Sequence, residues 1–142
     1  SFSVTLPVST AAPAFFAENG SGSGQGAILN NADSSQNSPS NPAPRGSYVQ
    51  IFVTGAGATN PSGTDGQIGK PGSLPAVTQT IQVAIGGQNA PVLYQGVAPG
   101  IVAGVTQVNV KVPENVEPGS SVPVTFTAGN TPSQNTVKMA VQ

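Results

Sequence analysis

The apolar residues of this chain recur at every second position, unlike the three- and four-residue spacing of an amphipathic helix. In the clearest case Val108, Val110 and Val112 alternate with polar residues and the run closes at Pro113. No segment offers ten helix-compatible residues free of glycine, proline or clusters of β-branched residues. The pattern therefore predicts an all-β chain.

The same alternation predicts seven strands, separated by turns rich in glycine, proline and asparagine. They span residues 2–8, 48–54, 80–85, 91–94, 105–112, 122–127 and 136–141. The Gly86–Gly87 pair predicts a hairpin turn into the strand at 91–94. A chain of 142 residues has room for one ordinary domain, and short strands at this spacing predict a two-sheet β-sandwich. We expect the polar stretches 19–26, 30–46 and 60–75 to be stiff loops packed along its surface.

Charge and composition exclude most chemistry. The chain has four Lys or Arg, five Asp or Glu, and neither His nor Cys. It therefore lacks the common general base, the thiolate nucleophile and the usual zinc, copper and haem ligands, so we predict no enzyme activity and no cofactor. Without a basic patch or a long apolar run, we expect neither a nucleic-acid partner nor membrane insertion.

Three isolated features carry weaker signals. Glu114 and Glu117 bracket a turn and could share a cation, although solvated turn residues explain them better. Tyr94, at the end of its predicted strand, is the best candidate for a sugar-binding aromatic ring. Asn19, followed by Gly20 and Ser21, is the one Asn-x-Ser/Thr glycan acceptor in the sequence.

The two ends of the chain repeat one pattern. Residues 3–8 (SVTLPV) align with residues 136–141 (TVKMAV), so that three apolar pairs coincide. These pairs are Val4 with Val137, Leu6 with Met139, and Val8 with Val141. Two strands of similar length can match by chance. The alternative is that the first strand is the same structural element as the last, one module earlier.

A set of short motifs, in chain order, is similar to a known bacterial family. The motifs are APAFF (12–16), GQGAILN (24–30), NSPSNPAPRG (37–46), GAGATNP (55–61), VAIGG (83–87), VLYQG (92–96), APG (98–100) and QVNVKVP (107–113). Together they resemble the Solibacter-type uncharacterised C-terminal domain, found in extracellular proteins of acidobacteria, over residues 11–142. The sequence departs from the family pattern at Phe15–Phe16 and at Val105–Thr106, and neither departure bears on the fold.

The resemblance implies an immunoglobulin-like sandwich on a secreted or cell-surface protein, with no agreed catalytic activity. A surface rich in neutral polar side chains agrees with that location. Because the chain opens at Ser1 with neither an initiator Met nor a signal-type segment, we interpret it as a mature or excised piece. In such proteins a strand like residues 3–8 commonly ends the preceding module, which is missing from this chain. We therefore divide the chain into an extended strand and linker (1–12) and an immunoglobulin-like sandwich (13–142).

The first strand presents one apolar face, formed by Phe2, Val4, Leu6 and Val8. Fully burying a large apolar side chain is worth about 1.5–3 kcal/mol, so this face favours a partner. The strand could fold back on its own sandwich, exchange with a second copy in a closed dimer, or add to the next copy head-to-tail. Pro7 lacks a backbone donor, which favours an edge position.

We favour the third arrangement, a non-enzymatic extracellular subunit that forms a filament of identical copies. The strand with Val137, Met139 and Val141 is the predicted receiving edge. The alternative is a monomeric adhesion or carbohydrate-binding module of a larger secreted protein, with surface glycans as its partner. The sequence leaves open whether the first strand is buried within its own chain.

Overall fold

Residues 2–142 of the computed structural model form fourteen β-strands and no helix, which confirms the all-β prediction. Ser1, the first residue of the predicted strand-and-linker segment, lies outside the described residues. The strands are β1 (Ala14–Phe15), β2 (Gly24–Gln25), β3 (Ile28–Asn30), β4 (Ser35–Gln36), β5 (Tyr48–Thr54), β6 (Thr59–Asn60), β7 (Ala76–Val77), β8 (Ile81–Ile85), β9 (Gln88–Ala90), β10 (Val92–Val97), β11 (Thr106–Lys111), β12 (Gly119–Ala128), β13 (Thr131–Pro132) and β14 (Val137–Val141).

These strands form two sheets, as the alternation predicts. The first sheet has the order β4-β3-β5-β11-β10-β7-β6, and β1 also pairs with β5. The second has the order β2-β14-β12-β8-β9, and β13 also pairs with β12. The pairings between named strands are antiparallel except that of β2 with β14, which is parallel. The predicted two-sheet sandwich is confirmed.

The core lies between the sheets and is built from alternate residues of the longer strands. In β5 the buried side chains are Val49, Ile51 and Val53, and β12 follows the same rule, whereas in β14 Ala140 is buried as well as the alternate residues. Phe15 of β1 reaches Phe126 of β12 with ring centroids 5.9 Å apart in an edge-to-face contact. Because side chains of a strand alternate between its two faces, a period of two places one apolar set inside.

One predicted hairpin is wrong in its second strand. The strand that follows Gly86–Gly87 and pairs with β8 is β9, and Pro91 separates it from β10. β10 pairs with β11 in the other sheet. Proline has no N–H for a sheet ladder, so the chain leaves one sheet at Pro91 and enters the other.

The stretches predicted as loops contain the short strands β2 and β4. Carboxamide side chains complete backbone hydrogen bonds of other strands. Asn37 is fully buried, and its side chain accepts the N–H of Ala140 at 2.8 Å and donates to the Ala140 carbonyl at 2.9 Å. Gln134 does the same for both backbone groups of Phe15. With so few charged residues, the chain uses amide side chains to satisfy buried backbone groups.

Candidate assembly site: the N-terminal segment and the sheet edges

Residues 2–9, hereafter the N-terminal segment, carry an apolar face that the rest of the chain leaves in solvent. Phe2 is fully exposed, and Val4, Leu6 and Val8 are 77%, 73% and 95% exposed. Within the described residues, positions 2–8 belong to no strand or bridge and form no hydrogen bond with the sandwich. A strand is defined by its pairing, so the strand predicted here does not exist within one copy.

The root of the N-terminal segment is fixed against the sandwich. The N–H of Ala12 donates to the Gly55 carbonyl at 2.9 Å, and Ala11 is buried. Gly55 has φ 66°, and a β-carbon there would collide with the Ala12 carbonyl oxygen. Only glycine fits this close approach, so the segment leaves the sandwich at a defined place, beside the end of β5.

The three residues of the predicted receiving edge lie in β14 and are buried: Val137, Met139 and Val141. One side of β14 pairs with β12. Its other side pairs in turn with β2, with the Asn37 side chain and with Ala43, whose N–H donates to the Ala140 carbonyl at 3.0 Å. Both hydrogen-bonding sides of this strand are therefore occupied within one copy, and an added strand needs another edge.

Two surface grooves border candidate edges. A groove of about 520 Å³ at the root of the N-terminal segment is lined mainly by small and hydroxyl-bearing residues, with Asp65 as its one charged side chain. A second groove, of about 430 Å³, lies between residues 78–81 and residues 92–95. Its floor includes the start of β10, where Leu93 is 58% exposed.

Two of the charged residues, Glu114 and Asp33, have local hydrogen-bond partners. Glu114 accepts a hydrogen bond from Lys111 at 3.0 Å, which lowers the pKa of the carboxyl and raises the pKa of the amine. The hydroxyl and N–H of Ser35 lower the pKa of Asp33. Residues 2–142 contain no group of three or more His, Cys, Asp or Glu that could hold a metal ion.

The two remaining candidates have ordinary local roles. The Tyr94 hydroxyl donates to the Val97 carbonyl at 2.8 Å, and partial burial raises the pKa of the phenol. Asn19 is exposed in a turn, where its side-chain oxygen accepts the N–H and the hydroxyl of Ser21. Asn19 as a glycan acceptor and Tyr94 as a sugar platform stay predictions.

Sequence reasoning missed the features that decide which edges are free. Asn37 stands in a polar stretch with no periodicity, and nothing in the sequence marks it as a buried substitute for a strand. Pro91 does give a signal, because a proline inside an apolar run argues against one continuous central strand. That signal could have divided β9 from β10.

Comparison with family models, with curated proteins and with solved structures finds no match to this chain. The resemblance to the Solibacter-type family therefore stays a prediction. Among residues 2–142, no helix is long and apolar enough to cross a membrane.

Proposed function

We propose that the chain is a non-enzymatic structural subunit that forms a head-to-tail filament. In this proposal, the N-terminal segment of each copy adds as a strand to a sheet edge of the next copy. Backbone hydrogen bonds supply the pairing, and the face with Phe2, Val4, Leu6 and Val8 supplies the apolar contact.

One observation carries the proposal: an alternating apolar face that has no partner within its own copy. Four large apolar residues in eight positions stay exposed next to a sandwich with a well-filled core. Fully burying each would contribute about 1.5–3 kcal/mol toward the cost of ordering the strand and of association.

The segment can also reach a neighbour. Its root is fixed at residues 10–12, and nine extended residues span about 30 Å at 3.3–3.6 Å per residue. No charged side chain precedes Glu18, so the segment itself adds no side-chain charge that would repel another copy.

The finer assignments belong to the same proposal. An immunoglobulin-like topology, membership of the Solibacter-type family and an extracellular location agree with the two-sheet fold and the neutral surface. A monomeric adhesion or glycan-binding module is the alternative. It would leave the four apolar side chains without a role.

The test compares two aspartates at adjacent positions of the N-terminal segment. Leu6→Asp places a charge on the apolar face, and Thr5→Asp places the same charge on the polar face. We expect Leu6→Asp to abolish filaments and Thr5→Asp to retain them in part, as seen by negative-stain electron microscopy. Circular dichroism should show both variants folded, because neither side chain contacts the core.

Filaments of Leu6→Asp as long and as numerous as those of the unmodified chain would overturn the proposal. Discrete particles from the unmodified chain would also overturn it. Particles of twice the chain mass would then indicate a closed exchange of strands, and particles of the chain mass a self-contained module.

A further inference from the structure

We infer that the receiving edge is the first half of β10, Val92–Tyr94, hereafter the β10 edge. This inference rests on the proposed function, since it names the place where the N-terminal segment of a second copy binds. The β10 edge and residues 78–81 enclose the groove of about 430 Å³.

Among residues 2–142, no strand pairs with the outer side of the β10 edge. On the inner side, β10 pairs with β11 from Val92 to Val97, with a register shift between Val92 and Tyr94 that leaves Leu93 without a partner in β11. On the outer side it pairs with β7 at one position only, Gly96 opposite Ala76, near its other end. Residues 78–80 then lead away to β8 in the second sheet, so β7 ends before it reaches the β10 edge.

The other sheet edges are covered, shorter or more polar. The outer side of β2 is covered by residues 17–18, since the Glu18 N–H donates to the Gln25 carbonyl. β4 has two residues, and the side chain of Asn41 caps it. β6 also has two residues. β9 has three, with exposed Gln88 and Asn89, and Pro91 follows its last residue.

The β10 edge has the apolar, uncharged character that strand addition requires. Leu93 is 58% exposed, and Val92 packs partly against the core. No charged side chain occurs between Lys70 and Lys111. Natural proteins commonly protect an edge strand with charged residues or with β-bulges; this edge carries no charge, and its irregularity is the register shift at Leu93.

The groove offers a place for the apolar face of the incoming strand. Ile81 and Val92 both line it, from the second and the first sheet respectively. A strand paired with β10 could turn alternate side chains toward these two residues. The Gln95 side chain already donates to the carbonyls of Val77 and Gln79, so the end of the groove at Gln95 is closed.

The root of the N-terminal segment and the β10 edge lie toward opposite ends of the sandwich. The root contacts Gly55, just after β5 ends. Val92 lies opposite Val110, which lies opposite Val49 near the beginning of β5. Each copy can therefore donate at one end and receive toward the other, as a filament that does not close requires.

The test mixes two variants that are blocked on different sides of the same contact. Leu93→Lys keeps the N-terminal segment and places a charge on the β10 edge, and Leu6→Asp does the reverse. We expect neither variant to form filaments alone, and the mixture to form a discrete species of twice the chain mass by light scattering. Ile68→Lys is the matched control, because Ile68 is 49% exposed elsewhere and should not affect filaments.

Disulfide capture provides a second readout, since the chain contains no cysteine. Cysteine at Leu93 is combined with cysteine at Thr5 or at Leu6, so that both faces of the incoming strand are sampled. We expect disulfide-linked ladders in assembled filaments from at least one pair, and none when Val102→Cys replaces Leu93→Cys.

The outcomes separate this inference from the function on which it rests. If Leu6→Asp blocks filaments while Leu93→Lys leaves them intact, the receiving edge is elsewhere and the inference is overturned alone. The absence of disulfides from both cysteine pairs in intact filaments would also overturn it. If both lysine and aspartate variants form normal filaments, the proposed function fails as well.

Discussion

Residues 3–8 and residues 136–141 share one apolar pattern and have opposite environments. Val137, Met139 and Val141 are buried in β14, whereas their counterparts Val4, Leu6 and Val8 extend into solvent. The difference lies in the surroundings, because β14 has hydrogen-bonding partners on both sides. Alternation thus shows that a segment favours burial in a sheet, and it does not say which sheet.

The comparison also shows that the outer side of β14, the predicted receiving edge for the first strand, is already occupied. Asn37 and Ala43 occupy the outer side of β14, where an additional strand would otherwise pair. Residues 2–8 therefore have no pairing within the copy, and the proposed filament uses them.

The largest expected effect comes from the same substitution at matched positions of the two segments. Met139→Asp buries an unpaired charge and should cost several kcal/mol of the free energy of unfolding, enough to unfold a marginal domain. Leu6→Asp should leave the free energy of unfolding of the single copy unchanged. Thermal unfolding followed by circular dichroism measures both. Equal loss of stability in the two variants would mean that residues 3–8 pack within their own copy.

A smaller loss is expected where a side chain takes the place of a strand. Asn37→Ala leaves the N–H of Ala140 without a partner, at about 1–3 kcal/mol for a buried group left unsatisfied, whereas the Ala140 carbonyl keeps the N–H of Ala43. The exposed Asn89→Ala is the control and should change stability by about 0.5 kcal/mol or less. Urea unfolding curves distinguish them. If the Asn37 variant is as stable as the control, the stability of the fold does not depend on the hydrogen bonds between Asn37 and β14.

Salt should affect assembly less than either substitution affects stability. Neither the N-terminal segment nor the stretch between Lys70 and Lys111 carries a charge. We therefore expect filament length and number to stay constant between low salt and about 1 M NaCl, at which charges are screened within about 3 Å. Disassembly at high salt, measured by sedimentation, would point to an electrostatic contact instead.

The smallest expected effect is that of pH on the folded copy. Lys111 lowers the pKa of Glu114 below its ordinary value of 4.5, so the ionised carboxyl stabilises the fold. This contribution is present above the unfolded pKa and is lost as pH falls through the lower, folded pKa. Glu114→Gln should remove it, and melting temperatures of the two proteins should converge in acid. A growing difference in acid would contradict the assignment.

The sequence predicts the sandwich well because its long strands bury one face each. Tyr48–Thr54 lies at its predicted position, and the strands around Val108, Val124 and Met139 lie within a few residues of theirs. The short strands escape prediction, since two or three residues show no periodicity. The apolar pattern of the N-terminal segment is local and therefore predictable. The edge that we propose as its receiver is not, because which edges are free depends on where β7 ends and on the hydrogen bonds of Asn37 with β14, and both follow from the tertiary structure.

The most direct measurement is negative-stain electron microscopy of the intact chain beside a chain lacking residues 1–9. We expect long, uniform fibres from the intact chain alone, and folded single particles from the shortened chain. Fibres from both, or single particles from both, would contradict it, because the N-terminal segment would then have no part in assembly.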